Sequence, residues 1–361
     1  MTTRKLAVLA AALAALAVPA AASASSTETL SQAAVFTLTN SAAGNGVATF
    51  ARNEDGTLVY TGTVSSGGLG TGANLGSQGA IALDPDGHTL FAVNAGSDSI
   101  SEFAVTNSGV SLVTTFASNG ALPISLTLHG RLLYVLNAGS KSISGFRVDA
   151  GAVTPIAGST QPLLGTNPAE VAFSPRGTQL VVTEKSSNTL DTYAVDGAGR
   201  AGAPVSSPSA GGTPFGFAFD QRGRAFVSEA AGSASSYTVD DSGAGVISGA
   251  VATNQGAPCW LVVTRNGRFA YTANAGGSSI SGFAIAPDGS LALLDPSGAT
   301  ASLPAGSHPL DEAVSGNARF LYVLADGRHT IAGYRIGEDG SLSPLGEVGA
   351  LPAGALGLAS S

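Results

Sequence analysis

Glu170 and the adjacent pair Glu184-Lys185 are the residues of this chain best suited to acid–base chemistry. Two carboxyl groups held close together push one pKa upward, which leaves an acid and a base near neutral pH. A lysine beside them offers a cation to a developing oxyanion. His308 is a further candidate, as a base or as a donor to a carbonyl oxygen, and His329 belongs to the same stretch of chain. Glu229, Trp260, Asp311 and Glu312 are candidate ligand-binding residues. Trp260, the single tryptophan, reads equally as a stacking platform for a sugar ring or as an apolar plug. Cys259 reads as a small buried hydrophobe rather than a nucleophile, because no histidine is near it in sequence.

A repeat carries these residues. "FAVNAGSDSISEFAV" (91–105), "YVLNAGSKSISGFRVD" (134–149) and "YTANAGGSSISGFAI" (271–285) are nearly one phrase. Weaker copies align Asn40, Asn94, Asn137, Glu184, Glu229, Asn274 and Ala325 at the residue before the turn. Successive positions lie 54, 43, 47, 45, 45 and 51 residues apart. A period in the mid-forties without helical spacing is that of a four-stranded propeller blade. In the fourth copy, "AEVAF", "TQLVVTE" and "TLDTYAVD" read as the inner, second and third strands, with "SPRG" and "KSSN" as turns.

The expected fold is all-β: a seven-bladed β-propeller with four antiparallel strands per blade. The first copy lacks an inner strand, and "PAGALGLAS" (352–360) is a surplus one, so the C-terminal strand is expected to close the ring. The repeated Asn is expected to serve the turn, by tolerating a left-handed backbone and bonding its own turn. Gly145, Gly282 and Gly333 are expected to admit the adjacent blade.

On this strand reading the ends of second strands and the starts of inner strands share one mouth of the central channel. Glu170, Glu184, Glu229, Asp311 and Glu312 would then point toward it, as would Lys185, Trp260 and His308, whereas His88 and His129 fall on the opposite rim. Gathered carboxylates need protons or a cation, and Ca²⁺ accepts oxygen-only ligands, so a bound Ca²⁺ is the less favoured alternative. No continuous D-x-D-x-D-G loop occurs, and neither a metal nor another cofactor is expected.

Composition excludes some classes. The chain has 361 residues with 11% charged, 44% hydrophobic, 49 glycines and a net charge of −8. An acidic chain without basic runs argues against nucleic acid and anionic membrane. Met1–Lys5 is basic, 6–18 is apolar, and Ala22-Ser23-Ala24 is a small-residue cleavage pattern, so residues 1–24 read as a secretory signal peptide. Residues 25–32 would be a short flexible start and 33–361 one propeller domain. The expectation is a secreted, extracytoplasmic monomer with no membrane insertion. The single cysteine excludes an internal disulfide.

The strings "LFAVNAGSDSISEFAVT" and "EVAFSPRGTQLVVTEKSSNTLDTYAVD" resemble the lactonase family of seven-bladed propellers over roughly Ala33 to Ser361. That family includes propeller-type 6-phosphogluconolactonases and carboxymuconate-lactonizing enzymes; "YVLNAG" also resembles the YVTN-type propellers of surface proteins. The resemblance implies an Arg-His pair at the start of an inner strand and a Glu at the end of the next. This chain has Ala169-Glu170 in place of the pair, and Glu184 matches the Glu. A histidine implied in the preceding blade is replaced by Ile124-Ser125. Glu170 could replace the base and Lys185 the positive charge.

Two functions follow from this reading. One is a hydrolase or isomerase of lactones or related small carboxylic compounds. Glu170 and Glu184 would be its acid and base, with Lys185 or His308 helping the carbonyl oxygen. The other is a non-catalytic binding propeller for a saccharide, a peptide or a wall component, which the missing Arg-His pair favours.

Overall fold

The computed structural model describes Met1 and residues 33–149, 152–349 and 351–361; apart from Met1, the expected signal peptide and flexible start lie outside them. The described residues form seven antiparallel sheets, and their one helical element is a 3-10 turn at Asp326–Arg328. The fold is an all-β, seven-bladed propeller.

Blade 4 illustrates why these sequences make blades. Its strands run from the channel outward as Pro168–Phe173, Gln179–Glu184, Thr189–Ala194 and Val205–Pro208. In the second strand, Leu180 and Val182 join the cluster of Ile124, Tyr134 and Leu136 in blade 3. Val181 between them joins Phe217, Ala225 and Tyr237 of blade 5. Alternate side chains thus bury against opposite neighbours, which is why the strand is apolar throughout.

Ring closure follows the expected scheme. Ala34–Leu38 pairs with Gly46–Arg52 on one side and with the C-terminal Leu356–Ser360 on the other. The C-terminal strand is the innermost strand of blade 1, so the first and last strands share one sheet and leave no open edge between them.

Two local expectations need correction. Asn40 (φ 49°) does take the left-handed conformation, but Asn94, Asn137 and Asn274 do not; there it falls on the last turn residue, Asp98 (φ 52°), Lys141 (50°) or Ser278 (47°), as it does on Asn188 (56°) in blade 4. Each asparagine instead donates across to the third strand, Asn94 to Ser101 (2.7 Å), Asn137 to Ser144 (3.1 Å) and Asn274 to Ser281 (2.9 Å). The space at Gly145 and Gly282 is taken chiefly within their own blades. A Cβ there would lie 2.5 Å from the Tyr134 ring, or 2.8 Å from Leu294 and 3.2 Å from Tyr271. The tyrosines reach the adjacent blade through their hydroxyls: Tyr134 donates to Gly199 O (2.8 Å) and Tyr271 to Gly340 O (2.9 Å).

Candidate functional site

The inner strands present one position repeatedly to the channel, two residues after a proline. At that position Ser125 Oγ accepts the N–H of Val171 in the next blade (3.2 Å). Glu170 Oε2 accepts Phe217 N–H (2.6 Å), and Asp311 Oδ2 accepts Gly357 N–H (2.8 Å). These carboxyls cap the neighbouring inner strand. In blade 5 the position is Gly216, whose missing side chain is replaced by Gln78: a Cβ on Gly216 would lie 2.0 Å from Gln78 Oε1. Gln78 Oε1 accepts Leu261 N–H (2.9 Å), and its Nε2 donates to Leu261 O (2.8 Å) and Phe217 O (3.3 Å).

Burial, with Asp311 nearby, drives the Glu170 carboxyl well above the ordinary range, against the pull of Phe217 N–H, and so favours its protonated form. Burial pushes Asp311 up to about 7, against the pull of Gly357 N–H. Glu312, the next residue along the strand, lies away from the channel beside the Ala273 backbone in blade 6; burial also holds its carboxyl well above normal.

Lys185, Phe215 and Trp260 form the rest of the upper mouth. Lys185 is buried; its Nζ donates to Gly76 O and stands 4.8 Å over the Phe215 ring. Burial brings its pKa down to about 8, despite the opposing influence of Cys259 and Glu184. The Phe215 and Trp260 rings are 4.9 Å apart at 57°. Trp260 is buried, and its Nε1 donates to Ser77 O (2.9 Å). It fills the mouth rather than presenting an open face. Burial pushes the Cys259 thiol up to about 12, so no thiolate is available there.

Glu184 and Glu229 do not reach this mouth. Both lie at the ends of second strands, fully buried under the short connections 163–167 and 209–213. His308 is exposed at the entry to the blade 7 inner strand, with φ 48°. Among the described residues, no three His, Cys, Asp or Glu side chains come together in a way that could hold a metal ion. The five carboxylates are thus separated into a channel pair, Glu170 and Asp311, and three interior groups.

Larger cavities open elsewhere. One of about 590 Å³ is lined by Arg176, Gln179, Arg222 and Asp241, and another of about 540 Å³ by Asp84, Arg265 and Asn317. Both lie on the rim of the inner-to-second-strand turns, opposite the mouth.

Residues 42–158 and 217–355 match the family model described as "Lactonase, 7-bladed beta-propeller". The chain belongs to the lactonase family. Among solved structures, this lactonase-family chain is similar to a candidate 6-phosphogluconolactonase from Bacteroides uniformis, with a TM-score of 0.73, 20% identity, and coverage of 90% of this chain and 99% of that one. A Lactobacillus plantarum protein gives a TM-score of 0.73 at 19% identity, covering 91% and 98%. The periplasmic gluconolactonase of Pseudomonas aeruginosa gives 0.65 at 17%, covering 89% and 98%. No curated protein matches the chain. At these identities the neighbours establish the fold alone.

Sequence reading missed three parts of the site. Phe215 and Gly216 sit where the inner-strand phrase gives no polar signal. Gln78 arrives from a connection outside the repeat. Asp191, beside Glu184, was missed as well, although the sequence carries a signal for it: it replaces the serine found at the same place as Ser101, Ser144 and Ser281.

Proposed function

We propose that this lactonase-family propeller hydrolyses the ester ring of a small, polar lactone at the upper channel mouth. Family membership carries the reading. The donor Lys185 and the buried carboxyl of Glu170, whose surroundings favour the acid form and which approach the same short segment at Gly76 and Gln78, support it chemically. Water adds to the ring carbonyl carbon while the Lys185 ammonium takes the developing oxyanion. The ring C–O bond then breaks, Glu170 protonates the departing alkoxide, and the proton released by the water restores Glu170, giving the open hydroxy acid. Glu184, enclosed between strands, acts on this chemistry only through its charge on Lys185. His308 at the exposed rim is a second donor for the carbonyl oxygen.

The basic and apolar leader read in residues 1–24 supports a location outside the cytoplasm for this reaction. Among the described residues no helix is long and apolar enough to cross a membrane. A panel of aldonolactones, followed by acid release, tests the activity. Turnover lost in Lys185→Gln is the expected result, and no turnover on any lactone would remove the reading. The absent Arg-His pair and a mouth whose donors are already matched by backbone carbonyls favour a second reading, a non-catalytic propeller that binds a saccharide at the same place.

A further inference from the structure

The connection from blade 1 to blade 2, residues 66–80 ("SGGLGTGANLGSQGA"), has no counterpart around the ring. The other outer-to-inner connections are 118–122, 163–167, 209–213, 253–257, 303–308 and 349–355. The surplus length crosses the channel mouth. Its base is tied by Asn40, which accepts Thr71 N–H (3.0 Å) and donates to Ala73 O (2.8 Å). Its tip, Gly76 to Gly79, touches four blades. Ser77 Oγ donates to Ile124 O in blade 3 (2.9 Å), Gln78 N–H to Ala169 O in blade 4 (3.1 Å), and the Gln78 amide bonds blades 5 and 6.

The tip holds by polar contacts rather than by packing. Leu75 packs against two core clusters, but Gly76-Ser77-Gln78-Gly79 offers them no apolar side chain and is retained by hydrogen bonds. Water or a polyol can exchange for such bonds at little net cost, whereas an apolar plug would have to be pulled from the core. Gly76 (φ 59°) and Gly79 (φ 78°) flank the tip in the left-handed region, so glycines stand at both points where it would swing. Lys185 Nζ and Trp260 Nε1, arriving from blades 4 and 6, are both spent on carbonyls of consecutive residues, Gly76 and Ser77.

We propose that residues 66–80 form a displaceable gate, and that Lys185 Nζ and Trp260 Nε1 beneath it are a recognition pair for an uncharged polyhydroxylated ring. Two neighbouring acceptor oxygens of that ring would stand where Gly76 O and Ser77 O now stand. The class of ligand rests on the lactonase reading above; the gate does not. Because the closed gate competes with the ligand, its population lowers the apparent affinity of the open site.

Hydrogen exchange on the full protein tests both parts. The amide of Gln78 is expected to exchange at least tenfold faster than that of Val171 in the inner strand of blade 4, and faster again in millimolar glucono-1,5-lactone or 1,5-anhydroglucitol, an uncharged ring with no ester to hydrolyse. Gln78→Ala, which removes the three side-chain bonds, is expected to bind 1,5-anhydroglucitol several-fold more tightly. Should that variant not fold, exchange in the wild type still decides. A Gln78 amide that exchanges as slowly as Val171, with and without either compound, would overturn the gate and leave hydrolysis to be judged by turnover. Faster exchange with ligand but no lactone turnover would support the gate and sink the hydrolase. Binding of 1,5-anhydroglucitol unchanged in both Lys185→Met and Trp260→Phe would overturn the recognition pair.

Discussion

Blades 4 and 5 end their second strands with the same residue, and the two glutamates could hardly be treated more differently. Glu229 is fully buried and accepts Gly211 N–H (2.9 Å), Ser209 Oγ (3.3 Å), Tyr237 OH (3.4 Å) and the Ser233 hydroxyl. Glu184 is equally buried, yet among the described residues neither carboxyl oxygen has a hydrogen-bond partner. Burial and the adjacent Asp191 raise its pKa to about 8, with Lys141 and Lys185 pulling the other way. Blade 4 lacks donors that blade 5 supplies, Leu163 standing where Ser209 does, and one strand away it carries a like charge. Blade 5 places Ser235 on the third strand, whereas blade 4 places Asp191, whose Oδ2 captures the connection's N–H at Leu164 (2.7 Å). The tyrosine that serves Glu229 has its counterpart in Tyr193, which donates to Pro162 O instead (3.1 Å). Local donors, rather than position in the repeat, decide whether a buried carboxyl is an anchor or a titrating group.

The largest expected effect comes from removing the anchor. Glu229→Ala leaves Gly211 N–H and three hydroxyls without this acceptor and opens a void. It should cost on the order of 3 kcal/mol in urea unfolding at pH 7. A loss below about 1 kcal/mol would mean that Glu229 is not the anchor it resembles.

Glu184→Gln should do the reverse, increasingly as pH rises above about 4.5 and in full above about 8. The folded pKa of Glu184 is raised to about 8 from an ordinary 4.5, so the native state holds a proton that the unfolded chain releases. Its contribution therefore declines as pH rises from about 4.5 toward 8, and above 8 the wild type carries a buried charge. The amide variant should match the wild type near pH 5 and exceed it by on the order of 2 kcal/mol at pH 9, as read from unfolding curves. Equal stability of the two proteins across that range would show that Glu184 is ionised and accommodated.

Asp191→Ser puts the third-strand serine of blade 5 into blade 4. The like charge disappears, Leu164 N–H loses its acceptor, and a hydroxyl faces Glu184. The alkaline loss of stability should shrink by about 1 kcal/mol at pH 9, less than in Glu184→Gln, because burial is the larger cause of the raised pKa. If the pH dependence is unchanged, desolvation alone governs Glu184 and the third strand is irrelevant.

Most of the architecture could be read before the structure, because a propeller writes itself locally. Each hairpin is specified by its own turn and by apolar residues at successive positions, and the surplus strand at 352–360 signalled closure. The site was less legible. Glu170 and Asp311 follow the inner-strand register and so were placed at the channel, but whether they face substrate or cap a neighbour depends on Phe217 and Gly357 in other blades. Glu184 and Glu229 look interchangeable in the repeat until their donors are known. Gln78 and Gly216, separated by much of the chain, complement each other's shape, and no local pattern records such a pairing.

The smallest effect should come from Lys185→Met. The Lys185 ammonium lowers the pKa of Glu184, but it is the last in order of the influences on that group, after burial, Asp191 and Lys141. It also spends its Nζ on Gly76 O and lies over the Phe215 ring, where a methionine can keep the apolar contact while losing the charge. Without the cation, the alkaline transition should move upward in pH. That is opposite to the shift from Asp191→Ser, and it should change stability at pH 9 by only a few tenths of a kcal/mol. Total stability will also reflect the loosened connection over the mouth, so the midpoint of the transition, rather than stability at one pH, separates the two consequences. An unchanged midpoint would mean that Lys185 is already neutral at the pH where Glu184 ionises. The two groups would then not titrate as one coupled pair near pH 8, and Lys185 would have no part in the difference between blades 4 and 5.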